Sequence, residues 1–223
     1  MARDVDIVIE EHPAAVVAER LADAARKGGH IVLTGGSTPR LAYELAAGLE
    51  TDWTRVELWW SDDRCVPEND ERSNYGMAKA ALLDHVRTGA VHPMRGELGR
   101  GEGARLYEQE LGALEHFELM LLGLGPDGHV ASLFPDEPTL DQTKRKAIGA
   151  EAKLEPFVDR ITLTLPMLCS AGEMLFLVTG EDKADAAFAA FAGEPSRAIP
   201  GSLVRAVNGR TTAVLDAPAA ARL

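Results

Sequence analysis

Apolar residues along this chain gather in short runs, separated by longer stretches in which Ala, Val and Leu recur at helical spacing. The runs Val5 to Ile9 and Val56 to Trp60 read as strands, and Ile31 to Leu33, Phe117 to Leu124 and Met174 to Val178 as buried strands. Val91 to Met94, Ala147 to Ala150, Arg160 to Leu165 and Ala213 to Leu215 read as further strands, with a turn at Glu155-Pro156. His12 to Lys27 predicts a helix stopped by Gly28-Gly29. Pro39 to Leu49, Asn74 to Val86, Glu102 to Leu114 and Asp182 to Ala192 predict four more, and Ser61 to Arg72 reads as a polar loop. Strands alternating with helices predict an α/β fold with a mostly parallel, doubly wound sheet flanked by helices. No linker, repeat or low-complexity tract interrupts residues 1–223, which predicts one domain.

Open sheets of this kind hold ligands beyond the carboxyl ends of their strands, so the residues after each strand carry the candidate chemistry. The longest apolar run ends in Gly125-Pro126-Asp127-Gly128-His129, a forced turn that delivers an acid and an imidazole two residues apart. Asp127 either orients His129 or only shapes the turn. Gly35-Gly36-Ser37-Thr38-Pro39 joins a strand to a helix. Ser37 or Thr38 can cap that helix, Pro39 suits its first position, and amides at such a helix start suit a phosphate. A plain helix cap explains the same residues without a ligand.

Ser61-Asp62-Asp63-Arg64 follows another strand. Arg64 suits an oxyanion, with Asp62 holding that arginine or a sugar hydroxyl; a solvated ion pair is the bland alternative. Arg160 opens a strand. Lys183 stands in the first turn of a helix, against the helix dipole, which suggests a nearby anion as an alternative to a solvent-facing side chain. Lys144-Arg145-Lys146 reads as a solvated loop or the mouth of an anion site. His12, His30, His85, His92 and His116 have no acid or cysteine at a useful spacing and read as structural or surface residues.

Composition narrows the partners. With 46% hydrophobic and 26% charged residues the chain is an ordinary globular one. A net charge of −12 argues against nucleic acid and anionic membranes, and any anionic ligand then needs a local cluster of cations. Cys65 and Cys169 match neither a disulfide framework nor a zinc spacing. Met1-Ala2-Arg3-Asp4-Val5-Asp6 lacks the apolar core of a signal peptide, and no apolar run is long enough to span a membrane, so a cytoplasmic location is expected.

The ordered set Gly35 to Pro39, Asp62 to Pro67, Ser73-Asn74-Tyr75, Leu122 to Pro135, Arg160 to Thr164, Gly180 with Lys183, and Pro200 to Leu203 resembles the 6-phosphogluconolactonases over nearly the whole chain. The resemblance implies a modified Rossmann-type α/β sandwich related to glucosamine-6-phosphate deaminases and ribose-5-phosphate isomerases. It also implies hydrolysis of 6-phospho-D-glucono-1,5-lactone in the oxidative pentose phosphate pathway, without cofactor or metal. Its partner is a small sugar phosphate lactone; no protein partner is required, and a monomer is expected. Two positions depart from the family pattern: Asp63 stands where glutamate is common, and Val130 where threonine is common.

A lactone is an activated ester, so its hydrolysis needs a deprotonated water and a stabilised oxyanion. No Gly-x-Ser-x-Gly elbow is present. On this reading His129 is the base, Asp127 its possible orienter and Arg64 the group facing developing charge. Gly35, Gly36, Ser37, Thr38, Asp62, Arg160 and Lys183 bind substrate and phosphate. Amino-sugar phosphate deamination or isomerisation is the rival enzyme reading, disfavoured because Ser132-Leu133-Phe134-Pro135 supplies no acid before Asp136. A sugar-phosphate-sensing module is the non-catalytic alternative, and binding alone would not need His129.

Overall fold

The computed structural model describes residues 5–153 and 155–223; the opening Met1 to Asp4, read above for its lack of an apolar core, lies outside the described residues. In chain order the strands are β1 (Val5–Ile9), β2 (Gly29–Leu33), β3 (Val56–Trp60), β4 (Asp62–Arg64), β5 (Ala90–Val91), β6 (Leu119–Leu122), β7 (Ala147–Ala150), β8 (Arg160–Leu163), β9 (Glu173–Val178) and β10 (Arg210–Leu215). The α-helices are α1 (Pro13–Lys27), α2 (Ser37–Ala47), α3 (Asn74–Ala78), α4 (Gly99–Leu111), α5 (Leu165–Leu168) and α6 (Ala184–Phe191).

Seven strands form one parallel sheet in the order β1-β10-β9-β6-β2-β3-β5. Its central strands are buried on both faces, which is why they read as continuous apolar runs. The predicted strands and helices recur, with ends shifted by a few residues. The predicted helix from Asn74 to Val86 is shorter: α3 widens into a π-type turn over Lys79–Leu83.

Ser61 to Arg72 is not all loop. Asp62–Arg64 is a strand, and it builds a second, antiparallel sheet in the order β4-β8-β7. Three charged residues hold a strand here because the Asp63 carboxylate is fully occupied. It accepts the amide of Arg64 at 2.7 Å, of Asn74 at 2.7 Å and of Tyr75 at 3.0 Å. The acid thereby ties β4 to the first amides of α3, which lack helical partners.

Two buried tyrosines finish the main sheet where its ladders stop. Tyr43 of α2 accepts the Thr34 amide at 2.9 Å and donates to the Thr34 carbonyl at 2.8 Å, just beyond β2. Tyr107 of α4 does the same for Trp60 at the end of β3, at 2.9 and 3.1 Å. Burial pushes both phenols above their usual range, so they stay neutral donors. The carboxyl ends of β2 and β3 are thus fixed from helices packed on the sheet, which gives the loops after them firm starting points.

Burial pushes the Asp63 carboxyl up to about 6, against the pull of its three amide donors. The native state therefore holds this proton more tightly than the unfolded chain, whose aspartates titrate near 3.9. Its contribution to stability is present in full below that value and is lost as pH rises to about 6. Asp63→Ala should lower unfolding free energy by about 1–3 kcal/mol through the orphaned amides. The gap from wild type in urea melts should be wider at pH 5 than at pH 7.

Candidate active site

β9, β6, β2 and β3 are consecutive neighbours at the middle of the sheet, and the segment after each carries candidate residues. Their carboxyl ends surround a cavity of about 260 Å³ lined by Gly35, Gly36, Asp62, Arg64, His129, Arg160 and Lys183 among others. An adjoining cavity of about 210 Å³ shares Gly35, Gly36 and Lys183 and adds Ser37 and Thr38. Two larger clefts, of 440 and 630 Å³, carry more acid than base: Asp63, Glu68 and Glu97 against Arg95 in the first, and Glu11 and Asp216 with no lysine or arginine in the second, which touches the far side of Ser37 and Thr38. Charge rather than size singles out the central pair as a place for an anion.

The turn after β6 builds the base. Gly128 adopts φ +82°, a left-handed conformation that suits glycine, and its amide donates to the Gly125 carbonyl at 3.0 Å. The Gly201 amide donates to the Gly128 carbonyl at 2.9 Å, so the Pro200 to Leu203 motif braces this turn from behind. The imidazole of His129 lies directly on Gly125, where a Cβ would stand 2.0 Å from Nδ1. Asp127 Oδ1 accepts the His129 amide at 3.1 Å and lies 2.6 Å from Nδ1. It therefore both shapes the turn and orients the ring. Burial alone would raise the Asp127 carboxyl, but the hydrogen bond and charge of His129 outweigh it and hold the acid below its ordinary value. An ionised carboxylate only accepts, so Nδ1 carries the proton in this contact, and in the neutral form of the ring the lone pair lies on Nε2. The Phe134 ring, 4.9 Å away centroid to centroid, packs beside the imidazole.

β4 and β8 supply the cations. Their antiparallel register pairs Arg64 with Arg160 and Asp62 with Thr162, so the two arginines stand opposite one another with Asp62 on the same face. Arg64 Nη1 donates to the Arg72 carbonyl at 2.8 Å, while its buried Nε has no partner. The Arg160 side chain is only 5% exposed and is steadied by the Val158 carbonyl at 3.1 Å. Burial, and more weakly the charge of Arg64, lowers its hold on a proton, while Asp62 at 3.9 Å opposes this. Like charges directly opposite in a strand pair repel, and a bound anion relieves that repulsion.

At the other wall, Gly36 at φ +117° precedes α2. Neither Ser37 nor Thr38 caps the helix, contrary to expectation, and Pro39 is its third residue rather than its first. The left-handed turn at Gly36 starts the helix two residues early and makes Gly36 the cap. Thr38 Oγ1 instead bonds Thr179 Oγ1 at 2.8 Å. The amides of Ser37 and Thr38 precede the first helical bond, from Arg40 to the Gly36 carbonyl at 3.0 Å. Lys183 closes the 3-10 turn Glu181–Lys183 ahead of α6, with its ammonium 3.4 Å from Asp182.

All the candidate residues except Asp127, which lies behind His129, line these two cavities. Asn74 was not singled out as a site residue, yet it lines the cavity too. Its amide donates to the Asp62 carbonyl at 2.9 Å, and it lies so close to Gly35 that a Cβ there would meet Oδ1 at 1.9 Å. The first glycine of the Gly35-Gly36 pair, which needs such an approach, was the available signal. Lys146 does not approach an anion site: its ammonium donates to the Gly112 and Leu114 carbonyls at 2.7 and 2.8 Å, where it suits the end of α4. His92, read as having no acid partner, bonds Glu110 at 2.7 Å and Glu57 at 3.1 Å, partners 18 and 35 residues away, and it lies outside the cavities.

Residues 8–213 match the family model described as glucosamine-6-phosphate isomerases/6-phosphogluconolactonase. A 6-phosphogluconolactonase of Mycobacterium leprae is 42% identical over 217 residues, covering 90% of this chain and 87% of that protein. One from Streptomyces coelicolor is 36% identical, covering 99% of this chain and 92% of that protein. The solved structure of the Trypanosoma cruzi 6-phosphogluconolactonase superposes with a TM-score of 0.89 at 25% identity, covering 100% of this chain and 98% of that one. With the fold and most of the sequence in register with these proteins, the chain belongs to the glucosamine-6-phosphate isomerase/6-phosphogluconolactonase family.

Proposed function

We propose that this protein hydrolyses 6-phospho-D-glucono-1,5-lactone to 6-phospho-D-gluconate. The observation that carries this is an imidazole, oriented by a carboxylate, sharing one small cavity with two arginines and a lysine. His129 Nε2 takes a proton from water as the water oxygen bonds to the lactone carbonyl carbon. Arg64 faces the oxyanion that develops. The bond from that carbon to the ring oxygen then breaks, and the imidazolium returns its proton to the departing oxygen. Asp127 keeps the ring in the needed tautomer and stabilises its charged form.

The first turn of α2 with Ser37 and Thr38, together with Lys183 and Arg160, binds the 6-phosphate. Holding the far end of the substrate positions the carbonyl against the water, so remote binding lowers the barrier. Asp62 and Asn74 face the sugar between these two ends. Deamination or ring-opening isomerisation would need an acid near the sugar after His129, and neither Asp136 nor Glu137 lines the cavity. The relatives named above are lactonases, which favours the same reading. Residues 1–223 then act as one domain, a monomer that needs no protein partner and works in the cytoplasm, where sugar phosphates are metabolised. Among the described residues no helix is long and apolar enough to cross a membrane.

Proton release from freshly generated lactone, corrected for spontaneous opening, tests the activity directly. His129→Ala should lower kcat by about 10²–10⁴-fold with binding of 6-phosphogluconate little changed; near-native turnover would remove His129 as the base. Lys183→Ala should raise KM by about ten- to a hundredfold and leave kcat nearly intact, and an unchanged KM would take Lys183 out of the phosphate site. Asp127→Asn should cut kcat by up to about 10⁴-fold, as the loss of an orienting carboxylate does in a serine-protease triad. Activity within a factor of two of wild type would leave Asp127 as a turn-former only.

A further inference from the structure

The loop that carries His129 and the strand pair that carries the arginines come from different parts of the chain, and one residue joins them. Val130 and Leu133 exchange backbone hydrogen bonds at 3.3 and 2.9 Å, making a tight turn with Ala131 and Ser132 at its tip. Ala131 lines the cavity at φ +50°, a left-handed conformation costly for a residue with a Cβ. Such strain persists only where the surroundings enforce it. The enforcing contacts belong to Ser132, which is fully buried. Its hydroxyl donates to Asp62 Oδ2 at 2.6 Å, and its amide donates to Thr162 Oγ1 at 3.2 Å.

Asp62 and Thr162 are register partners, one on each strand of the pair that sets Arg64 against Arg160. Ser132 therefore grips both strands two residue pairs from the arginines, on the same face, and three residues along the chain from the imidazole. Its hydroxyl also orients the Asp62 carboxylate, which is buried, lines the cavity and sits 3.9 Å from Arg160 Nη1. The other Asp62 oxygen takes only longer bonds, from Asn74 at 3.3 Å and Ser61 at 3.4 Å. Ser132 thus makes the shortest hydrogen bond to the acid that faces Arg160.

We propose that Ser132 is a positioning residue for the lactonase reaction: it fixes the spacing between the His129 base and the Arg64–Arg160 pair and holds Asp62 toward the substrate. This rests on the function proposed above. It also means that the Ser132 hydroxyl is committed to Asp62 and is not a nucleophile.

A double-mutant cycle tests it. Ser132→Ala should lower kcat by about 10- to 100-fold, the scale of an ångström's misplacement, with KM and the 6-phosphogluconate Kd changed by less than about threefold. Asp62→Asn should lower kcat as well, and Ser132→Ala added to it should cost less than its single effect, because the bond is already weakened. Full multiplication of the two losses, or a Ser132→Ala enzyme within about twofold of wild type, overturns the proposal. Should Ser132→Ala lose its cooperative urea transition, Thr162→Val removes the amide's partner, along with that hydroxyl's own bond to the Leu163 carbonyl at 3.0 Å, and must still lower kcat more than it alters Kd; an unchanged kcat overturns it equally. If wild type shows no lactonase activity, the functional reading fails on its own. The positioning claim is then judged by the ring resonances of His129 in labelled protein. They must move in Ser132→Ala although Ser132 does not touch the ring, and resonances that stay in place sink it.

Discussion

Two guanidiniums held opposite each other across a strand pair are the constraint on which the site depends. Arg64 and Arg160 have no freedom to separate, because the β4–β8 register fixes both backbones, and Arg160 is buried nearly completely. Asp62 lies 3.9 Å from Arg160, too far for a close ion pair, and the Asp63 carboxyl is taken up by backbone amides. A buried Arg160 facing a half-buried Arg64 without a close counter-ion is unfavourable, and an anion between them, as in the proposed site, would relieve it. The net charge of −12 sharpens this. Over the exterior, the field opposes a sugar phosphate; within the cavity, the two arginines and Lys183 reverse it locally.

The parallel sheet explains how such distant residues meet. Residues 35, 62, 129 and 183 follow β2, β3, β6 and β9, four adjacent strands at the middle of the order. β3 lies on one side of β2 and β6 on the other, so the chain changes direction there and opens a crevice at the carboxyl ends. The tyrosines that complete the β2 and β3 ends hold that crevice from below. Glycines then allow its walls to close in: Gly125 admits the imidazole and Gly35 admits Asn74, each at a separation no Cβ would tolerate.

Much of this was legible in the sequence, for a definable reason. Strands buried on both faces must be apolar throughout, so β2, β3, β6 and β9 declare themselves, and the residues after them become candidates without further information. The second sheet did not declare itself. Asp62-Asp63-Arg64 has the composition of a loop, and its strand exists because Asp63 satisfies the amides of α3, a contact between residues about a dozen apart. Register is invisible in a sequence, so the Arg64–Arg160 pairing was invisible too, though both arginines were named. Asn74 stayed hidden because its part is a matter of backbone proximity to Gly35. Ser37 and Thr38 were named as caps from a general preference, which the left-handed turn at Gly36 overrides.

The hydrogen bonds also bear on the proposed attack by water. A covalent route needs a hydroxyl or thiol within reach of the base. Among the described residues no serine or cysteine is hydrogen-bonded to His129, whose recorded hydrogen-bond partner is Asp127. Ser132, three residues on, spends its hydroxyl on Asp62, and Ser61 spends its own on Thr34 and Asp62. Cys65 is pushed up to about 11, chiefly by burial, and so remains a thiol at neutral pH. With Nδ1 bonded to Asp127, a neutral His129 has its lone pair on Nε2, which is what the proposed attack by water requires. For an ester already activated by its ring, the proposed route asks only that one imidazole take a proton from water and return it to the departing oxygen.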